Sequence, residues 1–301
     1  MNSILLLLAV VTPLLAAVAV LVGAPARRTA LAAAALDLLL VLVLALSYDI
    51  AAGGYQFVFS LPVLPLWEIG FTLGVDGLSL VLLLLTALVA LAAIALAPAV
   101  GHAERAYFAC LLLVAGGALG AFASVDVFFF YIFHELALIP TFLLIGIWGH
   151  GDKRAAAWKI TIYLAIGSIV LLAGLLALYF SLPEGGRTFS MAKLLDPAAV
   201  AVPAAEQGPV FLLLLIGFGI LVSLFPFHTW APSAYACAPT PVAMLHAGVL
   251  KKFGLYGLLR LALPLLPEGV QQYHDLILVL LIGNIVYVGL ATIAQKSLDL
   301  M

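Results

Sequence analysis

The stretch that decides the fold reads VFLLLLIGFGILVSLFPFHTWAPSAYACAPTPVAMLHAGVLKKFGLYGLLRLAL and spans residues 210–263. It holds two apolar segments of helix length, separated by an interruption that carries four prolines between Pro226 and Pro241. Each proline removes a backbone N–H donor and clashes with the preceding turn, so a helix breaks at such positions. The stretch therefore predicts a discontinuous membrane helix over residues 210–264.

Two adjacent lysines, Lys251 and Lys252, lie in the second apolar segment. If this segment begins near Thr240, Lys251 lies about 17 Å along the helix at 1.5 Å per residue. That is close to the middle of a hydrocarbon core about 30 Å thick. Ionisable groups at this depth face a protein interior or a wet cavity and mark ion or proton paths. Because neighbouring helical residues diverge by about 100°, we expect one of the two lysines on such a path.

The composition indicates a polytopic integral membrane protein. Hydrophobic residues make up 66% of the 301 positions and charged residues only 9%, a balance that excludes a water-soluble globule. The net charge of -2 provides no basic surface for nucleic acid. The two cysteines, Cys110 and Cys237, lack the spacing of a zinc site or a disulfide framework, and we interpret both as packing residues.

The distribution of apolar runs predicts eight membrane helices, the seventh of them discontinuous, and an all-α fold class. The first run is interpreted as a spanning helix and not as a cleaved signal peptide. Basic residues concentrate in the first, third and fifth connections, which places the N-terminus away from the cytoplasm. The loop between Asp49 and Asp76 predicts a short hairpin. The predicted spans are residues 4–22, 29–48, 77–97, 106–124, 125–147, 157–180, 210–264 and 274–295.

A second intramembrane charge, Glu135, lies in the run VDVFFFYIFHELALIPTFLLIGIWG of residues 125–149. It is about 15 Å deep if the helix begins at Val125. A carboxylate and a lysine at mid-depth can offset each other's charge cost and exchange protons, which is the chemistry of a proton relay. The alternative interpretation is a buried ion pair that only fixes helix packing.

Two further charged residues lie within predicted helices. Lys159 lies just inside the sixth helix, where it either reaches back to the membrane interface or takes part in transport. Asp37 lies among leucines and alanines of the second helix. We expect it to serve helix packing or contact with a partner subunit, with a proton-carrying role as the alternative.

Three histidines lie close to these charges, and an imidazole is a natural relay group near neutral pH. His134 precedes the intramembrane glutamate, and His246 lies on the second half of the broken helix, where a relay role and a packing role stay open. His228 lies in the break itself, where a role in satisfying unpaired backbone groups is favoured. None of these residues has metal-ligand spacing, so no metal or cofactor is predicted.

Three motifs occur in order along the chain: FFFYIFHELALIPTFLLIGIWG at residues 128–149, AAWKITIYLAIGS at 156–168 and PFHTWAPSAYACAPTPVAMLHAGVLKKFGLYGLLR at 226–260. Together they resemble the antiporter-like membrane subunits of respiratory complex I, most closely the chain M type. The same superfamily includes the multisubunit sodium/proton antiporters and the membrane subunits of energy-converting hydrogenases. The resemblance covers roughly residues 105–301, and the first three helices by hydropathy only.

Five residues are candidates for a proton relay, and the resemblance can be compared with each of them. Glu135 matches the family's glutamate on the fifth helix, and Lys252 matches the lysine of the broken seventh helix, with Lys251 in place of a usual leucine. Lys159 matches a lysine at the head of the sixth helix. His246 takes a position that is more often apolar in chain M, although related subunits carry a histidine nearby.

The chain departs from the family pattern in the loop after its HTW motif. Where the family commonly has an aspartate, a histidine and a glutamate, this chain has Ser233, Tyr235 and Cys237. No charge-based role is therefore expected for this loop.

The resemblance also implies a domain organisation. Residues 1–100 would hold the first three helices and residues 101–301 the first proton-translocating repeat, helices four to eight. The second inverted repeat, which supplies the other half-site in such transporters, is expected to be absent here. We expect the chain to be a fragment, the alternative being that a separate chain supplies the rest.

The implied function is that of a membrane subunit of a proton-pumping NADH:quinone oxidoreductase in a prokaryotic plasma membrane. The expected partners are the other membrane subunits of complex I and the lipid bilayer, and this chain would carry no redox chemistry of its own. The alternatives are a subunit of a multisubunit Na+/H+ antiporter or of an energy-converting hydrogenase, or an inert truncated scaffold chain. The sequence leaves open whether the ion is a proton or sodium. No nucleophile, metal or nucleotide motif indicates independent enzyme activity.

Overall fold

The computed structural model describes residues 2–196 and 201–295 and is mostly helical. Within these residues, nine helical segments are long and apolar enough to cross a membrane. The region predicted as one broken helix accounts for two of them, Ala204–Cys237 and Thr240–Leu265. The chain is therefore a multi-pass membrane protein.

The elements follow one another in a simple order, with one β-hairpin between the second and third helices. They are α1 (Asn2–Val22), α2 (Ala26–Leu46), β1 (Gln56–Leu64), β2 (Ile69–Val75), α3 (Gly77–Ala95), α4 (Glu104–Ala123), α5 (Val127–Trp148), α6 (Lys153–Ser181), α7 (Met191–Leu194), α8 (Ala204–Val222), α9 (Trp230–Cys237), α10 (Thr240–Leu245), α11 (Lys251–Gly257), α12 (Leu263–Leu265), α13 (Pro267–Gln272), α14 (His274–Gly283) and α15 (Gly289–Ile293). Three π-helical turns, His246–Leu250, Leu258–Ala262 and Asn284–Val288, lie between the last helices.

The hairpin between α2 and α3 confirms the one predicted for this loop. β1 and β2 pair antiparallel, with Ser60 opposite Thr72. The hydroxyl oxygens of these two residues lie 2.9 Å apart in a hydrogen bond. A short 3-10 turn and Glu68, in the left-handed conformation with φ 52°, reverse the chain.

The interruption after α8 begins at Ser223, which adopts the left-handed conformation with φ 63°. The Trp230 Nε1–H group donates a hydrogen bond to the Ile220 carbonyl at 3.2 Å. The same carbonyl, in the last turn of α8, also accepts from the Ser223 N–H group at 3.2 Å. The chain leaves helical geometry again at Ala238, which is extended with ψ 145°. The backbone at this break is thus held by a side chain from within the break.

Residues 2–144 and Pro239–Leu250 form one compact unit. Its centre is α4, which is buried along almost its whole length. Gly120 of α4 faces the ring of Phe133 on α5 so closely that a Cβ atom would overlap it. Small residues thus allow these two helices to approach closely, as is common between membrane helices.

Residues Ile145–Ala238 and 251–295 form a second compact unit. α6 and α8 pack along each other, and Gly217 of α8 lies against the backbone of Leu171 on α6. α11 packs on α8 in the same manner, since a Cβ atom on Gly254 would overlap the Phe218 carbonyl. By contrast, α14 and α15 bury none of their described residues.

Candidate functional site

The carboxylate predicted to act in the relay, Glu135, lies on α5 and is 35% exposed. Its Oε1 atom lies 3.6 Å from Nδ1 of His134, whose side chain is 1% exposed. The two residues form an ion pair only when the imidazole is protonated. The glutamate therefore has a buried neighbour that can carry a proton, although adjacent side chains on a helix usually diverge.

His246 packs against the same helix. Its ring is 2% exposed, and Nε2 lies 3.2 Å from the Thr141 hydroxyl oxygen. The Thr141 hydroxyl donates its own hydrogen to the Ala137 carbonyl at 3.1 Å, so its oxygen is left to accept from an Nε2–H group. This arrangement favours the tautomer with the proton on Nε2. The sequence did not indicate Thr141 as a partner.

A buried carboxyl that the sequence analysis missed, Asp126, lies directly before α5 and is 2% exposed. Its Oδ1 accepts from the backbone N–H groups of Phe128 at 2.9 Å and Phe129 at 3.2 Å, which makes it a helix cap. Its Oδ2 accepts from the Gly70 N–H group of β2 at 3.2 Å. Burial raises the pKa of Asp126 to about 6, although these three N–H groups lower it in part.

The second unit contains the two adjacent lysines. The Lys251 ammonium lies 4.8 Å from the centroid of the Tyr235 ring and 5.6 Å from that of Trp230. Both distances are within the range of a cation–π interaction. Tyr235 thus contributes to the charge environment although its loop was expected to have no charge-based role. Lys252 is half-buried at the next position.

A cavity of about 480 Å³ lies in the second unit, beside Lys251. Lys251 lines it, whereas Lys252 is not among its lining residues. His228, also in the lining, stacks on Phe225 with 5.7 Å between ring centroids. His228, for which a role at the interrupted backbone was favoured, therefore also lines the cavity.

The remaining charged residues of the sequence analysis lie apart from this cavity's lining. Lys159 is half-buried on α6 and forms no hydrogen bond or ion pair within residues 2–196 and 201–295. One turn later, the Tyr163 hydroxyl shares a 2.8 Å hydrogen bond with that of Thr229. Asp37 on α2 is 3% exposed, and its Oδ1 has no hydrogen-bond partner among the described residues.

The five predicted relay residues thus divide between the two units. The first unit contains Glu135 and His246, both associated with α5. The second contains Lys159, Lys251 and Lys252. Each set is a group of ionisable side chains within apolar helices, which is the pattern of ion and proton paths.

Comparison with known families gives one match that covers more than half of the chain. Residues 124–300 match the family described as NADH:quinone oxidoreductase/Mrp antiporter, TM. The matched region includes α5 and every element after it, and so all five predicted relay residues.

Comparison with individual proteins agrees with this family. A curated relative, NAD(P)H-quinone oxidoreductase chain 4 from a Synechococcus strain, is 38% identical over 275 residues, which are 90% of this chain and 51% of the relative. The chain thus spans about half the length of the curated relatives it matches. A chain of respiratory complex I from Thermus thermophilus superposes with a TM-score of 0.86 and 31% identity, over 98% of this chain and 60% of that one. A chain of the Mrp complex from a Dietzia species superposes with a TM-score of 0.78 at 22% identity, over 98% of this chain and 54% of that one, and shows the shared fold alone.

Proposed function

The chain belongs to the NADH:quinone oxidoreductase/Mrp antiporter transmembrane family, and from this membership we propose that it is a proton-translocating membrane subunit of an NADH:quinone oxidoreductase complex. The observation that carries the proposal is sequence similarity to complex I. The chain is 38% identical to an NAD(P)H-quinone oxidoreductase chain 4 and 31% identical to a chain of Thermus thermophilus complex I. Its partners are then the other membrane subunits of that complex. In this assignment residues 1–100 supply the first three helices and residues 101–301 a proton-translocating repeat.

The proposed relay uses Glu135 as the coupling carboxylate and Lys252 as the residue that switches charge. Each of the two residues is proposed to gain and lose a proton within the low-dielectric interior of its own unit. Quinone reduction elsewhere in the complex starts the cycle, and this chain moves protons without redox chemistry of its own. The buried imidazole at His246 is supported as a relay group by its contact with α5. Lys159, near the start of α6, is a further residue of the proposed relay.

The test is Glu135→Gln in the assembled complex, reconstituted in liposomes with NADH and quinone. We expect proton uptake per quinone reduced to fall at least fivefold, because the amide has the shape of the acid but does not ionise. Glu104→Gln is the matched control, since Glu104 is exposed in the first turn of α4. Proton uptake at the wild-type level in E135Q would contradict the assignment.

A second candidate function, the multisubunit Na+/H+ antiporter, rests on the family's description, which covers both systems. The 22% identity to the Mrp chain supports this candidate less than the 31% identity to complex I supports the first. The same vesicles distinguish the two. A pH change driven by an imposed sodium gradient without NADH would favour the antiporter.

A further inference from the structure

The cavity beside Lys251 is large and polar enough to hold water. Its volume of about 480 Å³ has room for more than ten molecules at about 30 Å³ each. Its polar lining residues all lie within the second unit. They are Ser223, His228, Tyr235, Lys251, Asn284 and Thr292.

Two of these polar groups are already engaged within the protein. The Asn284 Oδ1 atom accepts from the Phe225 N–H group at 2.8 Å, and the Thr292 hydroxyl donates to the Val288 carbonyl at 2.8 Å. The Ser223 hydroxyl and His228 Nδ1 are buried and have no hydrogen-bond partner among the described residues. Water in the cavity meets other atoms of the lining side chains, which include His228, Tyr235 and Lys251.

The lysine in this cavity has no acidic neighbour there. No aspartate or glutamate occurs among the described residues that line it, and the Lys251 ammonium forms no ion pair within them. The titratable side chains that share the lining are His228 and Tyr235, and Lys252 follows on the same helix. The ring faces of Tyr235 and Trp230 stabilise the charged form, while cavity water can hydrogen-bond the neutral amine. Both protonation states of Lys251 can therefore be accommodated.

We propose that Lys251 is a second proton-carrying residue of the translocation path, exchanging its proton with His228 through water in this cavity. The ammonium releases a proton to a water molecule, and the lone pair of a ring nitrogen of His228 that faces the cavity takes one from the far end of the water chain. The reverse transfer recharges the lysine, so no oxidant or other reactant is consumed. This inference rests on the proposed function and adds to it, because the family resemblance gives the lysine role to Lys252 and a leucine to position 251.

The competing role is that of a fixed charge. In that role Lys251 only stabilises the packing of α11 on α9 through its contacts with Tyr235 and Trp230. Three substitutions separate the roles. Arginine keeps a permanent charge and stacks on aromatic rings but does not release its proton. Leucine removes the charge. Histidine restores a group that can gain and lose a proton near neutral pH.

The first measurement is proton uptake per quinone reduced in liposomes containing the assembled complex. We expect K251R and K251L each to lose at least fivefold and K251H to retain at least a third of the wild-type value. Wild-type uptake in K251R would overturn the inference, and so would a comparable loss in all three variants. If the wild-type complex itself moves no protons, the proposed function fails, whereas normal transport in every variant removes only the role of Lys251.

The second measurement tests the water in the cavity without relying on transport. In a C110A/C237S background of the assembled complex, K251C is treated with the water-soluble thiol reagent MTSEA. The control is A262C, because Ala262 is 0% exposed in a π-helical turn further along the same segment. We expect K251C to react at least tenfold faster than A262C. Equally slow reaction at both positions would indicate a dry cavity and would overturn the inference.

Discussion

The Asp126 Oδ2 atom accepts a 3.2 Å hydrogen bond from the backbone N–H group of Gly70 and thereby ties the β-hairpin to the start of α5. Its other oxygen caps α5, the helix that carries Glu135. One buried carboxyl thus fixes both the hairpin and the first turn of a helix proposed to move protons.

The Asp126 carboxyl makes stability depend on pH. Its pKa is raised from 3.8 to about 6 in the folded protein, so its contribution to stability is fully present below about pH 3.8 and is lost as the pH rises through 6. Asn at this position stays neutral. We expect the free energy of unfolding of D126N, relative to that of the wild type, to increase by about 1 to 3 kcal/mol as the pH rises from 4 to 7.

The measurement is thermal unfolding in detergent at several pH values, followed by circular dichroism. D126N also loses the bond from Gly70, because its amide nitrogen cannot accept, and this lowers its stability equally at every pH. D152N is the control, since Asp152 is an exposed cap that accepts from the Ala155 N–H group. A difference between D126N and the wild type that is the same at pH 4 and pH 7 would refute the prediction.

The contact between His246 and Thr141 predicts that two substitutions of Thr141 lower stability by different amounts. T141V keeps the side-chain shape but removes the hydroxyl, which leaves the buried imidazole without this hydrogen bond. We expect T141V to lower the free energy of unfolding by about 1 to 3 kcal/mol. T141S keeps the hydroxyl and is expected to lose less than half as much. Chemical denaturation of both proteins checks this, and equal losses would show that the methyl group matters more than the bond.

Close packing of α4 on α5 predicts a position-specific effect of one added methyl group. G120A introduces a Cβ atom that overlaps the Phe133 ring, and overpacking of this kind costs about 1 to 3 kcal/mol. G289A is the matched control, because a Cβ atom there meets nothing within 4 Å. The midpoint of thermal unfolding should fall for G120A and stay level or rise for G289A. A fall of the same size in both would argue against close packing as the cause.

Much of the fold could be predicted from the sequence because its signals are local. Apolar runs predicted the multi-pass architecture, and glycine and proline in a polar loop predicted the hairpin. Asp126 also had a local signal, an aspartate directly before an apolar helical run, which is typical of a helix cap. Thr141 had none, because its partner His246 lies 105 residues away in sequence.

The choice between the two lysines could not be made from the sequence for a structural reason. A regular helix places the two side chains about 100° apart, which does not decide which of them faces a cavity. The π-helical turn His246–Leu250 precedes the lysines directly and alters the helical phase by its wider turn. Hydrophobic periodicity does not report such an irregularity, so the direction of the side chains after it could not be predicted from the sequence.

The hydrogen bond of Trp230 predicts that the interruption between α8 and α9 is stabilised by one indole N–H group. Its Nε1–H group donates to the Ile220 carbonyl in the last turn of α8, and its ring also faces the Lys251 ammonium. W230F removes the donor and retains an aromatic face. We expect it to lower the free energy of unfolding by about 1 kcal/mol, the usual contribution of one hydrogen bond, since the Ile220 carbonyl keeps only its bond from the Ser223 N–H group.

The control for W230F is W158F, which makes the same chemical change at a ring that is 52% exposed on α6. Thermal unfolding of the two proteins in the same detergent gives the comparison, and W230F is expected to unfold several degrees below W158F. Restoring a donor by W230H would recover part of that difference if the hydrogen bond is its cause. If W230F and W158F unfold together, the break is held by ring packing and not by the bond to Ile220.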